Sequence, residues 1–95
     1  MDANNLEFMR LPAVLERLGE SRSVFLREVE SGLAPRPVKV GRCVFWPRHE
    51  ISAVMAARLN AARPEALRKI VADLMAKRRE FMPVSMRDIE EVEAA

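Results

Sequence analysis

Three glycines divide the first half of the chain into segments that suit only short secondary-structure elements. Gly19 and Gly32 each follow a run with helical apolar spacing, and Gly41 lies between two short runs rich in valine and aromatic residues. Glycine readily adopts the left-handed conformation found at helix ends and in hairpin turns. Pro35 and Pro37, between the second and third glycine, exclude a helix there and keep the chain extended. The spacing predicts two short helices followed by a β-hairpin.

The first helix is predicted from a stripe of apolar residues at the i, i+3, i+4 and i+7 positions. The stripe consists of Leu11, Val14, Leu15 and Leu18. Residues 6–11 before it have the pattern of a short extended segment, and Pro12 is tolerated at the first helical position because no N–H is needed there. Gly19 then ends the helix.

The second helix is predicted to begin after Ser21, whose hydroxyl is expected to accept a hydrogen bond from the N–H of Ser23 or Val24. It extends to about Ser31, with Phe25 facing inward. Val29 shares that inward face, and Gly32 closes the helix. Two short helices joined by a glycine turn make a helix-turn-helix.

Residues 38–46 are predicted to form the hairpin, with a type II′ turn at Gly41-Arg42. Pro47 opens a third helix, whose apolar face consists of Ile51, Val54, Met55 and Leu59. Trp46 is expected in the core. The predicted fold is mainly α with a small β-hairpin wing, a winged helix-turn-helix spanning residues 6–63.

The composition argues against several classes of function. Among the 95 residues, the single cysteine and the single histidine, Cys43 and His49, provide neither a disulfide nor a zinc site, and the glycines are too far apart for a phosphate loop. We therefore expect no enzyme, no cofactor and no metal. The chain has no membrane-spanning apolar run and a polar, acidic N-terminus, so we expect a cytoplasmic, nucleoid-associated bacterial protein.

The basic side chains favour binding to double-stranded DNA. Residues 1–63 carry ten basic and seven acidic side chains, and the basic ones recur at the elements that enter DNA grooves in helix-turn-helix proteins. The expected DNA contacts at the start of the second helix are Ser21, Arg22, Ser23, Val24 and Arg27. Those on and beside the wing are Arg36, Lys39, Arg42 and Arg48. The alternative for each arginine is simple solvation of an exposed surface.

Two further arginines have an ambiguous pattern. Arg10 and Arg17 are placed either to meet phosphate or to pair with Glu7 and Glu20. The sequence favours neither interpretation.

The residues Phe8 to Leu15, Gly19-Glu20-Ser21-Arg22-Ser23, Pro35 to Gly41 and Trp46 resemble the AlpA family. This family comprises small phage and mobile-element regulators with MerR-like winged helices, including excisionases, also called recombination directionality factors. The resemblance covers residues 7–60. It implies that the second helix lies in the major groove with the wing beside it. The sequence departs from the family at Glu20, Leu26 and Ala34.

Residues 64–95 lie outside this resemblance. Pro64-Glu65 is predicted to restart or kink a helix, followed by basic Lys77-Arg78-Arg79 and an acidic tail in which residues 81–95 carry one basic and four acidic side chains. We expect the apolar residues to mediate self-association, with the tail of one protomer docking on the next. They are Leu67, Ile70, Val71, Leu74, Phe81, Met82, Val84, Met86, Ile89 and Val92. The alternative is that this segment folds back onto its own chain.

The sequence leaves three functions open. The first is an excisionase that binds attachment-site DNA cooperatively, bends it and directs a tyrosine or serine integrase towards excision. The second is a dimeric transcriptional regulator of a phage or integrative element. The third is a protein-interaction adaptor that does not bind DNA, for which Arg22 and Arg42 would be dispensable.

Overall fold

The structure, a computed structural model, describes residues 7–81. In this range the protein is mainly helical, with one small three-stranded antiparallel sheet. The elements in chain order are β1 (Phe8–Met9), α1 (Leu11–Leu18), α2 (Arg22–Glu30), β2 (Val38–Val40), β3 (Cys43–Pro47), α3 (Arg48–Leu59), α4 (Pro64–Lys77) and a 3₁₀ helix (Arg78–Phe81). None of these helices has the length and apolar character needed to cross a membrane.

The ends of α1 and α2 agree with the sequence pattern. Gly19 closes α1 with φ 66°, and its N–H donates to Glu16 O. Ser21 caps α2, its hydroxyl accepting from the Val24 N–H at 3.3 Å. The predicted helix, glycine turn and helix are confirmed.

The sheet has the strand order β1-β3-β2. The hairpin between β2 and β3 pairs Val40 with Cys43 across Gly41-Arg42. Gly41 has φ 61°, whereas Arg42 is not among the described residues with positive φ. This combination fits the expected type II′ turn, because a type I′ turn needs positive φ at both residues. The predicted extended segment before α1 supplies β1, which pairs Met9 with Trp46.

One hydrophobic cluster holds α1, α2, the sheet and α3 together. Phe25 and Trp46 are almost fully buried, with ring centroids 5.3 Å apart in an edge-to-face contact. The Trp46 Nε1–H donates to Pro35 O at 2.8 Å, so the indole satisfies its donor inside the core. Val14, Ala34 and Ile51 complete the buried set.

The third helix differs from the sequence expectation at its end. Ile51 and Val54 are fully buried, but Leu59 is 87% exposed. Leu59 therefore does not belong to the apolar face, and Ala57 lies in the core instead. α4 packs against α3 on the side where Ala57 lies. Leu59 lies on the other side of the last turn, which is exposed to solvent.

The fourth helix folds back onto its own chain, which corrects the preferred sequence interpretation for part of this segment. Leu67 and Val71 are buried against Val54 and Ala57 of α3, with Ile70 and Met75 at the edge of the same cluster. Leu67 and Val71 are thus covered within the chain. Burial of each of these side chains against α3 stabilises the folded protein by roughly 1.5–3 kcal/mol.

The remaining residues expected to mediate self-association have different outcomes. Leu74 is half-buried. Met82, Val84, Met86, Ile89 and Val92 lie outside the described residues, as does the side chain of Phe81. Their role in contacts between copies stays a prediction.

An ion pair that the sequence did not reveal joins the 3₁₀ helix after α4 to the start of α3. Glu50, in the first turn of α3, has a fully buried side chain, and the Arg78 guanidinium donates to both of its carboxylate oxygens at 2.7 and 2.6 Å. Arg78 also donates to Arg36 O at 2.6 Å, just before β2. A glutamate in a first helical turn is ordinarily an exposed residue that complements the helix dipole. The position of Glu50 in the sequence therefore did not indicate that its side chain is buried.

Candidate nucleic-acid interface

The N-terminus of α2 is open to solvent. Ser21, Arg22, Ser23 and Val24 are all exposed, and Val24 has 41% of its surface accessible although it is apolar. The Ser21 hydroxyl satisfies the Val24 N–H, and the helix dipole adds partial positive charge at this end. Such an end attracts phosphate or other anions and presents short side chains to a surface laid against it.

The two sides of α2 differ in character. At about 100° per residue, Ser23 and Arg27 lie roughly 160° to either side of buried Phe25, and so face directly away from the core. Arg22 lies only about 60° from Phe25 on the same count, so it projects from the flank of the helix. Both arginines are exposed. Arg27 and Ser23 therefore occupy the centre of the outward face, with Arg22 at its margin.

The hairpin of β2 and β3 adds two exposed cations. Lys39 lies opposite Val44 in the sheet, and Arg42 occupies the turn. Because side chains alternate along a strand, Lys39 is on the same side of the sheet as Val44 and Trp46, the side that faces the helices. The Phe25–Trp46 contact joins this sheet to α2, so the helix and the hairpin are parts of one packed unit.

Most of the expected DNA-contacting cations have no acidic partner. Within residues 7–81, no carboxylate lies within 4.0 Å of Arg22, Arg27, Arg36, Lys39 or Arg42. Unpaired cations on a surface repel one another and gain from an approaching polyanion. This part of the surface is therefore suited to bind a chain of phosphates.

Arg48 is only partly available. It forms an exposed ion pair with Glu7 at 3.5 Å, and its N–H donates to Glu7 O at 2.7 Å. Exposed pairs of this kind contribute little free energy, so a phosphate can compete for the guanidinium. The Arg36 side chain has no ion pair within residues 7–81, although its carbonyl accepts a hydrogen bond from Arg78.

Of the two alternatives left open for Arg10 and Arg17, pairing with Glu7 and Glu20 does not occur within residues 7–81. Glu7 pairs with Arg48 and Glu20 with Arg58. The Arg10 guanidinium donates to Cys43 Sγ and lies 5.4 Å from the centre of the Phe45 ring, a cation–π contact on the outer side of the sheet. Arg17 is exposed and has no ion pair in the described part of the chain.

Glu20 belongs to a cluster that fixes α2 against α3. Arg58 contacts Glu20 at 3.3 Å and Glu28 at 2.9 Å, so one guanidinium serves two carboxylates. Burial and the neighbouring Glu28 raise the pKa of Glu20 despite the attraction of Arg58. One oxygen of Glu20 is buried without a hydrogen-bond partner. The cluster lies on the flank of α2 opposite to Arg22, and its role is to hold the helix in place.

A groove lies between the C-terminal end of α2, the following loop and α4, and the sequence did not indicate it. It has a volume of about 320 Å³ and is lined by Val29, Glu30, Gly32, Ala34, Arg36, Arg68, Val71, Ala72 and Met75. Its formation depends on the docking of α4, which periodicity does not specify.

The exposed residues of α2 and of the β2–β3 hairpin suit contact with a nucleic acid. An exposed helix N-terminus, a cation on its outward face and a basic hairpin tip can hold a phosphate backbone and contact base edges. Comparison of the chain with protein-family models, with curated proteins and with solved structures finds no match in any of the three.

Proposed function

We propose that this chain is a sequence-specific DNA-binding protein and that residues 6–63 act as its winged helix-turn-helix. The observation that supports this most directly is the outward face of α2. Its first turn is exposed, and Arg27 projects from its centre without an acidic partner in the described residues.

In the proposed complex, the N-terminal half of α2 enters the major groove. Arg27 has the bidentate geometry that suits guanine O6 and N7, and Ser23 bonds a neighbouring base edge. Val24 supplies an apolar contact for a thymine methyl group, which accounts for its exposure. Ser21 and Arg22, at the margin, meet the phosphates on that side.

The wing is proposed to lie in or beside the adjacent minor groove. Arg42 at the hairpin tip and Lys39 on β2 contact its phosphates, with Arg36 and Arg48 on either side. Phosphate contacts give affinity without sequence preference. Specificity therefore comes from α2 and strength from the wing.

The proposed biological role is that of an excisionase. The resemblance of residues 7–60 to AlpA-family regulators supports this role, as does the apolar and acidic C-terminal tail, which suits contacts between copies on adjacent sites. Such a protein acts by bending DNA, and the free energy that bending costs is offset by the additional protein–DNA contacts. The partners are then double-stranded DNA, further copies of this chain and an integrase.

The test is binding to the attachment-site DNA of the element that encodes the chain, followed by footprinting. Arg27→Ala is expected to weaken binding to the target by about 1–3 kcal/mol and to relax preference at one base pair. Arg42→Ala should weaken binding to all sequences and lower the slope of log K against log salt by about one unit. Lys69→Ala, which removes an exposed cation from α4, is the matched control. It should leave the binding affinity and the salt slope unchanged.

Equal losses for Arg27→Ala and Lys69→Ala would contradict the proposed interface. Unchanged binding in both the Arg27 and Arg42 variants would instead support the adaptor interpretation. Footprints over clustered direct repeats at an attachment site support the excisionase role. A single inverted repeat at a promoter would replace it with that of a dimeric regulator.

A further inference from the structure

The groove between α2 and α4 has an apolar floor and basic margins. Val29, Val71 and Met75 provide apolar surface, and Arg36 and Arg68 lie at the edge. Within residues 7–81 neither arginine has a carboxylate within 4.0 Å. One acidic residue, Glu30, also lines the groove. The balance of charge suits an occupant that is both apolar and acidic.

A hydrogen bond fixes the Arg68 side chain where it can bind an acidic occupant. Its Nε–H donates to Ser31 O at 2.9 Å, beyond the last turn of α2. This bond holds the side chain beside Gly32, where an added Cβ would lie 3.8 Å from the Arg68 Cγ. The terminal nitrogens of the guanidinium keep their donors for an incoming carboxylate.

Residues 82–95 of this chain have the matching chemistry. Met82, Val84 and Met86 alternate with Pro83 and Ser85, so in an extended conformation all three would lie on one side. The rest of the segment carries four acidic residues and one arginine. Three alternate residues span about 13 Å when extended, and the lining residues of α4 from Arg68 to Met75 span about 10 Å along the helix.

The path of the chain argues against occupation by the molecule's own tail. The stretch of α4 that lines the groove runs towards the 3₁₀ helix, so the described chain ends at Phe81, beyond the Met75 end of the groove. Entering the same groove would require an immediate reversal, and a reverse turn takes about four residues. Such a turn would use Met82 and Val84, which are the residues that match the groove. A neighbour's tail can present all of them.

We propose that this groove binds residues 82–95 of a second copy of the chain. The contact is head-to-tail, so it links copies into an open array unless the rotation between neighbours closes it into a ring. The inference rests on the self-association in the proposed function, but it does not depend on DNA binding.

The experiment measures association of the full-length protein without DNA, by sedimentation velocity over a series of concentrations. Ala72→Glu places a charge in the groove at an exposed position of α4, and Ala66→Glu places the same charge at an exposed position outside it. Val84→Glu blocks the tail instead. The wild type and Ala66→Glu are expected to associate as concentration rises, and the other two variants to lose association. Circular dichroism checks that all four are folded.

Mixing the two defective variants makes the test decisive. Ala72→Glu keeps an intact tail and Val84→Glu keeps an intact groove, so the mixture should form one-to-one pairs that do not grow further. Association of Ala72→Glu at the wild-type level would overturn the proposal. A wild type that stays monomeric at every concentration would also overturn it, since the tail would then occupy its own groove or none. Both results are independent of whether the chain binds DNA.

Discussion

At the scale of single residues, the arginines fall into two groups that the amino-acid type does not distinguish. Arg58 and Arg78 are held by carboxylates and by burial, whereas Arg27 and Arg42 face only solvent within the described residues. The first group fixes elements against one another. The second remains available for a polyanion, and for that reason it carries the proposed function.

Glu20 provides a prediction about pH at this scale. Its pKa is raised in the folded protein above the ordinary value of 4.5. The contribution of the protonated Glu20 carboxyl group to the free energy of unfolding is therefore fully present below about pH 4.5. It is lost as the pH rises through the pKa of Glu20 in the folded protein. Glu20→Gln mimics the protonated form, so it should stabilise the protein at neutral pH, and the gain should shrink as the pH falls through the folded pKa of Glu20 and be absent below about pH 4.5.

Urea unfolding of the wild type and Glu20→Gln at a series of pH values measures this difference. Glu16→Gln is the control, because Glu16 is exposed on α1 and has no ion pair within residues 7–81. A stabilisation by Glu20→Gln that is the same at every pH would show that the carboxyl group is not the cause.

At the scale of elements, two helices end in the same way with different residues. Gly19 closes α1 with φ 66° and Ala61 closes α3 with φ 54°. In both cases the next N–H reaches back into the last turn, from Glu20 to Leu15 O and from Ala62 to Ala57 O. The left-handed conformation is free of strain for glycine but costs other residues about 1–2 kcal/mol.

The two ends form a reciprocal test. Gly19→Ala should lower the free energy of unfolding by about 1–2 kcal/mol, and the loss is backbone strain alone because nothing lies within 4 Å of the added carbon. Ala61→Gly should raise it, by less than about 1 kcal/mol, since the added freedom of the unfolded chain offsets part of the relief. Chemical denaturation measures both. Changes of the same sign would contradict this account of the helix ends.

At the scale of the whole molecule, α4 completes the fold rather than extending it. It covers Val54 and Ala57 with its own apolar residues, and Arg78 just beyond it neutralises the buried Glu50. Arg78 also donates to the carbonyl of Arg36, so the segment just before β2 is tied to the C-terminal segment. Residues 64–78 therefore contribute to the unit that positions the proposed DNA-binding surface.

Arg78→Ala tests this connection. The substitution leaves the Glu50 carboxylate buried without its partner. Removing one partner of a buried ion pair lowers the free energy of unfolding by about 3–5 kcal/mol. We expect a loss of about 3 kcal/mol because the arginine is partly exposed. Arg79→Ala removes the same charge from an exposed neighbour and should stay within about 0.5 kcal/mol of the wild type. Thermal and urea unfolding measure both. A loss in Arg78→Ala no larger than in Arg79→Ala would mean that Glu50 does not depend on this ion pair.

The local pattern by itself determined the elements and their ends. The apolar stripe of α1, the cap at Ser21 and the turn at Gly41 each depend on interactions within a few residues of the chain, and the structure has them as predicted. The exposed positions of Arg27 and Arg42 follow from the same short-range patterns.

Contacts between elements were decided only by the tertiary structure. Whether the stripe of α4 would meet α3 or another molecule depends on which apolar surface lies nearby in space, and helical periodicity is identical in the two cases. The burial of Glu50 and the exposure of Leu59 have the same origin, because each reverses the usual preference of its residue type through a partner, or the lack of one, on a distant element. The groove exists for that reason as well, since its two walls come together only when α4 docks beside α2.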